Sequence, residues 1–249
     1  MRNPSGLGSI PSRERVAEFD TIGVTAFTTT RAHGDFSLAA DVEAANVERW
    51  KELQRSLHPS ATGLVSARQV HGVGIAEHTA PASGWVRIEG VDAHLLKAAS
   101  LAAAVTVADC VPAFVAHPRG AVALIHAGWR GTAARLLEQM LTRFAERGFA
   151  SDELHVHLGP AICGRCYEVG PDVYEQLTGW QTTRNRNVDL RALLAEQARA
   201  AGVRHLSASV YCTRCDNDRF FSHRAGDAGR QISVIVNAGQ HEEDRRVLP

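Results

Sequence analysis

Three residues of metal-binding type each follow a predicted β-strand in this 249-residue chain. They are His71 in RQVHG, Cys110 in VADCVP and His126 in LIHAGWRGT. Because strand ends within one sheet lie close together, such residues can meet although they are far apart in sequence. Two imidazoles and one thiolate suit a catalytic zinc ion, and copper accepts the same donors. The alternative is three unrelated residues, since the donors lack the short spacing of zinc motifs.

The segment after His126 has features of an anion-binding turn. Gly128 and Gly131 permit close backbone approach, and Arg130 offers a forked set of donors. A helix is predicted to begin near Thr132, so free N–H groups at the turn would point towards an anion. No GK[ST] follows, which excludes a Walker phosphate loop. Taken alone, the segment also fits an ordinary connection between a strand and a helix.

Charged residues near these segments are candidates for supporting roles. Asp92 in GVDAH and Asp109, next to Cys110, could each orient a ligand imidazole by accepting its second N–H. Three arginines could bind anions, namely Arg31, Arg224 and Arg230. Taken singly, residues of these types are more often solvated or paired in salt bridges than part of a site.

Four further cysteines form two CxxC pairs, Cys163/Cys166 in CGRC and Cys212/Cys215 in CTRC. Two such pairs can hold a structural zinc ion. The gap of 45 residues between them is longer than the roughly 15–20 residues of the zinc-ribbon pattern. The pairs could instead be redox-active or simply buried, so their role stays open.

Strands and helices alternate along the chain and must position these residues. Apolar and β-branched patterning predicts strands over 22–30, 64–70, 101–107, 112–116, 121–126, 154–158, 210–211 and 232–236. Helical spacing predicts helices over 42–57, 132–147 and 190–201. This mixture indicates an α/β or α+β class. Without a linker-like change in composition, we expect one domain over 1–249, with residues 1–20 poorly ordered or peripheral.

Composition limits the class of function. Lys plus Arg and Asp plus Glu both number 27, so the net charge offers no case for nucleic acid or an anionic membrane as partner. The longest apolar stretch, 98–107, is too short to cross a bilayer, and the N-terminal segment lacks the apolar region of a secretory signal. Five cysteines without such a signal favour reduced thiols. We expect a cytoplasmic protein that acts on a small molecule, as a monomer or small homo-oligomer.

Several segments together resemble one known family. QVHG, ADCVP, HAGWRGT, GPAICGRCYEVG and CTRCDNDRFFSHRAGDAGRQ match, in order, the signature segments of the YfiH/laccase-domain family. This family is also called the multicopper polyphenol oxidase or purine nucleoside phosphorylase family. The resemblance runs from about Thr28 to Val236 and implies a layered α/β/β/α architecture with mixed sheets. It also implies a metal triad of His71, Cys110 and His126 that holds zinc, with copper as the earlier assignment.

The resemblance implies a chemistry as well. The activities are phosphorolysis of adenosine, inosine, guanosine and methylthioadenosine, and deamination of adenosine. Phosphate would be oriented by the metal, by Arg130 or Arg31 and by N–H groups after Gly128, and would attack C1′ as the purine leaves. Arg31 matches a segment associated with substrate binding. HGDFSLA beside Arg31 and FSHR around His223 depart from the usual family sequences, which could narrow or shift the substrate preference.

Three other functions fit the same residues. Cys110, activated by His71 or His126, could be the nucleophile of a hydrolase. Copper on the triad would suit a laccase-like polyphenol oxidase, although four-electron reduction of O₂ normally needs several coppers. The two CxxC pairs would suit a zinc-stabilised binding protein without catalytic activity.

Overall fold

The computed structural model describes residues 12–38 and 44–239. Its strands are β1 (Arg13–Arg15), β2 (Thr25–Thr29), β3 (Gly63–Arg68), β4 (Ile75–His78), β5 (Gly84–Glu89), β6 (Ala93–Leu96), β7 (Leu101–Val107), β8 (Val111–Ala116), β9 (Val122–Ala127), β10 (His155–Leu158), β11 (Glu168–Val169), β12 (Arg186–Asn187), β13 (His205–Ala208) and β14 (Gln231–Asn237). Its α-helices are α1 (Ala17–Asp20), α2 (Ala44–Ser56), α3 (Trp129–Ala133), α4 (Leu136–Ala145), α5 (Pro171–Thr178) and α6 (Leu190–Ala200). None of these helices is long and apolar enough to span a bilayer.

Twelve of the strands form two mixed sheets. The first sheet has the order β1-β2-β14-β7-β3-β5 and the second β13-β10-β8-β9-β6-β4, while β11 pairs with β12 alone. In the first sheet β7, β3 and β5 are parallel neighbours and the other pairs are antiparallel. In the second sheet the two outermost pairs are parallel and the inner ones antiparallel. Parallel neighbouring strands end on the same side of a sheet. Residues that follow β3 and β7, or β10 and β13, are therefore brought close together.

Alternating side chains pack the two sheets face to face between layers of helices. Val105 of β7 shares a buried cluster with Phe114 of β8, so these faces of the two sheets are in contact. The neighbouring Ala104 belongs to a cluster with Trp50 of α2, on the outer face of the first sheet. Ile125 of β9 belongs to a third cluster, which contains the apolar residues of α4 and α6. The order helix, sheet, sheet, helix confirms the expected α/β/β/α layering.

Helix α6 shows how local sequence sets an element. Asp189 is its N-cap, and the carboxylate accepts hydrogen bonds from the backbone N–H groups of Arg191 and Ala192. Leu190 and Leu194 lie on its buried face. The prediction over 190–201 rested on this spacing and is confirmed to within one residue.

Two predicted elements were wrong. The helix expected over 132–147 is two helices, α3 and α4, because Arg135 between them adopts a left-handed conformation with φ 59°. The strand expected at 210–211 is absent from that described segment, and the strand lies earlier, in β13. Val210 is 87% exposed, so its β-branched side chain has no sheet face to pack against. Positions 42–43 of the first predicted helix lie outside the described residues.

Residues 1–20 were expected to be poorly ordered or peripheral, and the structure describes only the later part of this segment. Residues 1–11 lie outside the described residues. From Arg13 onwards the chain forms β1, which pairs with β2 at the edge of the first sheet, and then α1. Val16 and Phe19 are buried there in the cluster between the sheets, so this part is peripheral in position but ordered and packed.

Candidate functional site

The three predicted metal ligands meet at the boundary between the two sheets. His71 follows β3 of the first sheet, Cys110 lies in the connection from β7 to β8, and His126 lies near the end of β9 in the second sheet. One ligating atom of each lies within 4.8 Å of the others. The rings of His71 and His126 meet edge to face with centroids 4.7 Å apart. His126 is buried and His71 exposed, so the cluster opens to solvent on one side.

A buried carboxylate, Asp92, holds both histidines. Its Oδ1 accepts hydrogen bonds from Nδ1 of His126 at 2.8 Å and from the backbone N–H of His71 at 3.0 Å. Its Oδ2 accepts from the N–H groups of Gly72 at 2.7 Å and Val70 at 3.3 Å. Because Nδ1 of His126 is engaged, Nε2 is left as the atom that could bind a metal ion. Asp92 therefore makes the contact that orienting a ligand imidazole requires.

Asp109 anchors the opposite side of the cluster. Its carboxylate accepts hydrogen bonds from the hydroxyl of Thr213 at 2.6 Å and the backbone N–H of Arg224 at 2.7 Å. In the described part of the chain these bonds take the place of the imidazole contact predicted for Asp109. Both Asp109 (φ 88°) and His71 (φ 57°) have left-handed backbone, which costs energy in residues other than glycine. The hydrogen bonds at Asp109 and Asp92 hold these two strained positions beside the ligands.

Cys110 and His126 shift each other's ionisation. Burial raises the pKa of Cys110, but the charge and hydrogen bond of His126 and the hydrogen bond of His71 outweigh it and lower that pKa to about 6. Burial lowers the pKa of His126, but the Cys110 thiolate and Asp92 raise it to about 9. Cys110 is therefore mostly a thiolate at neutral pH, which is the form that binds metals and acts as a nucleophile.

Gln69 fixes the chain that leads to His71. Its side-chain amide donates to the carbonyl of Thr106 at 2.8 Å. The amide oxygen accepts from the N–H of Thr106 at 2.8 Å and from its hydroxyl at 3.0 Å. These bonds tie the end of β3 to the end of β7, the strands that precede His71 and Cys110. No role was predicted for Gln69, because its partner lies 37 residues away on another strand.

A cavity of about 620 Å³ is lined in part by the three candidate ligands. This volume falls in the range of about 300–1,000 Å³ that small-molecule sites occupy. Besides the triad and Asp109, the cavity is lined by four arginines, Arg68, Arg87, Arg224 and Arg230, and by apolar or aromatic side chains, Leu38, Trp50 and Tyr167. The lining thus combines positive charge, which suits an anionic group, with some apolar surface.

The sequence matches a known protein family over most of its length. The sequence model of the family described as "Multi-copper polyphenol oxidoreductase laccase" matches residues 27–238. The chain belongs to this laccase-like YfiH family. The resemblance inferred from the sequence segments is thereby confirmed.

Individual members of the YfiH family match most of the chain. "Adenosine deaminase RL5", from an unknown prokaryotic organism, is 31% identical over 232 residues, which cover 81% of this chain and 88% of that protein. "Purine nucleoside phosphorylase YlmD" of Geobacillus stearothermophilus is 35% identical over 202 residues, covering 72% and 73% respectively. The crystal structure of YlmD from that organism matches with a TM-score of 0.80 at 27% identity, over 92% of this chain and 97% of that one. A Bacillus licheniformis YfiH structure also gives a TM-score of 0.80, at 23% identity and the same coverage, which shows the shared fold.

The anion-binding residues predicted for this YfiH-family chain fall into two groups. Arg224 and Arg230 line the cavity, whereas Arg31 lies outside its lining. The guanidinium of Arg31 forms an ion pair with Asp227 and donates to the carbonyl of Phe220 at 3.1 Å. These contacts hold the segment that carries Arg224. Arg31 therefore positions a wall of the cavity without lining it.

Arg130 is also outside the cavity lining. It is exposed, and its guanidinium lies over the ring of Trp129 at 4.3 Å. Gly128, by contrast, touches the triad directly. A Cβ atom built on it would lie 3.0 Å from Sγ of Cys110 and 3.3 Å from Cδ2 of His71. Glycine at this position therefore leaves the room that the side chains of Cys110 and His71 occupy.

The Gly128→Ala variant is expected to fold but to bind zinc roughly tenfold more weakly, because the added methyl group displaces Cys110 or His71. Competition with a chromophoric chelator measures the affinity, and circular dichroism checks the fold. Gly131→Ala is the matched control, since its Cβ would meet nothing nearer than Leu136 Cδ2 at 3.5 Å. Equal zinc affinity in both variants would show that Gly128 does not shape the triad.

Proposed function

We propose that this protein is a zinc-dependent purine nucleoside phosphorylase, acting on adenosine, inosine, guanosine and methylthioadenosine, that also deaminates adenosine. The observation that carries the proposal is the convergence of His71, Cys110 and His126 beside a cavity lined by four arginines. The names of two relatives, a purine nucleoside phosphorylase and an adenosine deaminase, support the two reactions.

The residues present fit one zinc or copper ion. Cys110 is ionised near pH 7, and Asp92 fixes the tautomer of His126 in which Nε2 can coordinate. Three protein ligands leave a further position for substrate or water, as in catalytic zinc sites. When bound, the ion supplies Lewis-acid chemistry that polarises an oxygen of phosphate or water.

The arginines of the cavity would bind and orient the phosphate. Arg224 is held in place on three sides: its N–H binds Asp109 at 2.7 Å, its Nη1 donates to the carbonyl of Glu168 at 2.9 Å, and its guanidinium lies 4.9 Å from the ring centre of Tyr167. Arg230 is held through hydrogen bonds from its Nη1 to backbone carbonyls of its own loop. In this proposal Arg224 and Arg230 contact the anion. Arg31 holds the segment that carries Arg224 from outside the cavity lining, where Arg130 also lies.

The position of the anion would be the main contribution of these residues to rate. Phosphorolysis passes through a state in which positive charge develops at C1′ of the ribose as the purine leaves. A phosphate held beside C1′ stabilises that charge and turns an encounter of two molecules into a reaction within one complex. Leu38, which is partly exposed, offers apolar surface on which the purine would rest.

Zinc-loaded protein is expected to convert inosine plus phosphate into hypoxanthine, and adenosine alone into inosine. Chromatography of the reaction mixtures measures both products. Hypoxanthine formation should require phosphate, because phosphate is the attacking group, whereas inosine formation should not. The absence of both products would overturn the proposal. A parallel assay of copper-loaded protein with a phenol tests the polyphenol oxidase alternative.

A further inference from the structure

The four cysteines of the two CxxC pairs form a second cluster, outside the cavity lining. One sulfur from each of Cys163, Cys166, Cys212 and Cys215 lies within 4.8 Å of the other three. All four are free thiols, and the sulfurs of Cys166 and Cys215 are 3.4 Å apart. Four sulfurs bound to one tetrahedral zinc ion at about 2.3 Å are about 3.8 Å from one another. The cluster therefore has the dimensions of a tetrathiolate metal site.

Neighbouring parallel strands bring the two pairs together. β10 and β13 are paired up to Leu158 and Ala208, and beyond their ends an isolated bridge joins Ala161 to Cys212. Cys163 lies two residues after that bridge. The intervening 45 residues contain α5 and α6 and return to the same sheet edge. The two CxxC pairs are thus close together in the fold, although the gap between them in sequence is longer than in a zinc ribbon.

Each CxxC pair forms a tight turn that offers hydrogen bonds to sulfur. The N–H of Cys166 donates to the carbonyl of Cys163 at 2.9 Å, and the N–H of Asp216 donates to that of Cys212 at 2.8 Å. Sγ of Cys212 accepts N–H groups from both turns, from Cys163 at 3.3 Å and from Cys215 at 3.4 Å. Backbone N–H donors favour the charged thiolate over the neutral thiol.

Both turns also carry a positive charge. Arg165 precedes Cys166, and Arg214 precedes Cys215. Arg214 reaches across to the other turn, where its Nη1 donates to the carbonyl of Cys166 at 3.2 Å. Four thiolates around one Zn²⁺ leave a net negative charge, which these two arginines offset.

We propose that Cys163, Cys166, Cys212 and Cys215 bind a structural zinc ion, separate from the triad and independent of the reaction proposed above. Four protein thiolates fill a tetrahedral shell and leave no position for substrate, as in structural rather than catalytic sites. The chain from 213 to 222 contains no helix or strand, so a metal cross-link supplies the restraint that regular structure provides elsewhere.

The proposed ion would fix one wall of the cavity. Tyr167 directly follows Cys166 and lines the cavity. Thr213 directly follows Cys212 and donates its hydroxyl to Asp109, the neighbour of Cys110, at 2.6 Å. The cysteine cluster thus reaches the triad through one residue on each of its two turns.

The test is the zinc content of purified, reduced protein, measured by elemental mass spectrometry. Wild type should contain two equivalents of zinc, the Cys110→Ala variant one, and the Cys166→Ser/Cys215→Ser double variant one. The double variant isolates the cysteine cluster because it leaves the triad intact. Equal zinc in the wild type and the double variant would overturn the proposal, whatever either protein does to nucleosides.

A second measurement covers the case in which the double variant does not fold. The Cys110→Ala chain, loaded with Co²⁺, should bind one equivalent and show the intense thiolate-to-cobalt absorption of four-sulfur coordination. When zinc-loaded wild type is unfolded without reductant, five thiols should become titratable, which is the number of free cysteines in the chain. No strong cobalt absorption, or a thiol count lowered by disulfides, would overturn the proposal.

Discussion

Replacement of Cys110 by alanine is expected to abolish nucleoside conversion and to remove one equivalent of zinc. Cys110 is the anionic member of the triad, and its pKa of about 6 keeps it ionised at neutral pH. Two imidazoles without the thiolate hold Zn²⁺ much more weakly. We expect turnover to fall at least about a hundredfold, beyond the loss that removal of an outer hydrogen-bond partner causes. Product chromatography and zinc content, measured on the same sample, check both effects.

The outcome also separates the two roles that Cys110 could have. A variant that loses activity but keeps its full zinc content would make Cys110 a nucleophile rather than a ligand. His71→Ala is expected to behave like Cys110→Ala, because it removes another ligand. His205→Ala is the control for it, since His205 is also an exposed histidine but lies on the edge strand β13. Loss of activity in that control would point to general damage.

The Asp92→Asn variant is expected to lose zinc affinity about 10–100-fold and about 1–3 kcal/mol in the free energy of unfolding. The carboxylate is fully buried and accepts four hydrogen bonds, two on each oxygen. An amide has one acceptor oxygen, so its NH₂ group must face either the N–H of Gly72 or the N–H groups of His71 and His126. At least one of these donors, whose bonds to Asp92 are buried or partly buried, is left without its acceptor.

Zinc titration and denaturant unfolding of the zinc-free protein measure the two effects of Asp92→Asn separately. Asp152→Asn provides the same chemical change at a partly exposed site, where the carboxylate lies 3.4 Å from Arg204. We expect no change in zinc affinity in that control. If Asp92→Asn lowers stability but leaves zinc affinity intact, Asp92 serves the fold alone and does not position His126.

The triad could be located from sequence because its chemistry is distinctive and its positions follow strands. His126 directly follows a run of buried apolar residues, and His71 and Cys110 lie within three residues of strands that contain such runs, which form the most recognisable strands. The same reasoning predicted Asp92 beside a candidate ligand histidine, and its carboxylate does bind His126. It misplaced the partner of Asp109, because the groups it binds lie more than 100 residues later in an irregular segment.

The cavity walls were less predictable, for a physical reason. Arg87 lies on β5, an edge strand without a buried side chain, and no strand was predicted there although apolar and polar residues alternate over Val86–Glu89. Helix α5 was overlooked although Pro171 begins it and Gly179, with φ 76°, ends it. The approach of the two CxxC pairs depends on which strands become parallel neighbours, and spacing along the chain carries no information about that choice.

The position of the triad at the boundary between the sheets couples metal binding to folding. His71 follows β3 of the first sheet and His126 lies on β9 of the second, so an ion bound to both would recognise only the native face-to-face arrangement. A ligand that binds only the folded state stabilises it by about 2.7 kcal/mol at a free concentration 100 times its Kd. Metal supply would then govern the lifetime of the chain as well as its activity. Under the proposed zinc-dependent function, a cell short of zinc would hold molecules that are inactive and more readily unfolded and degraded.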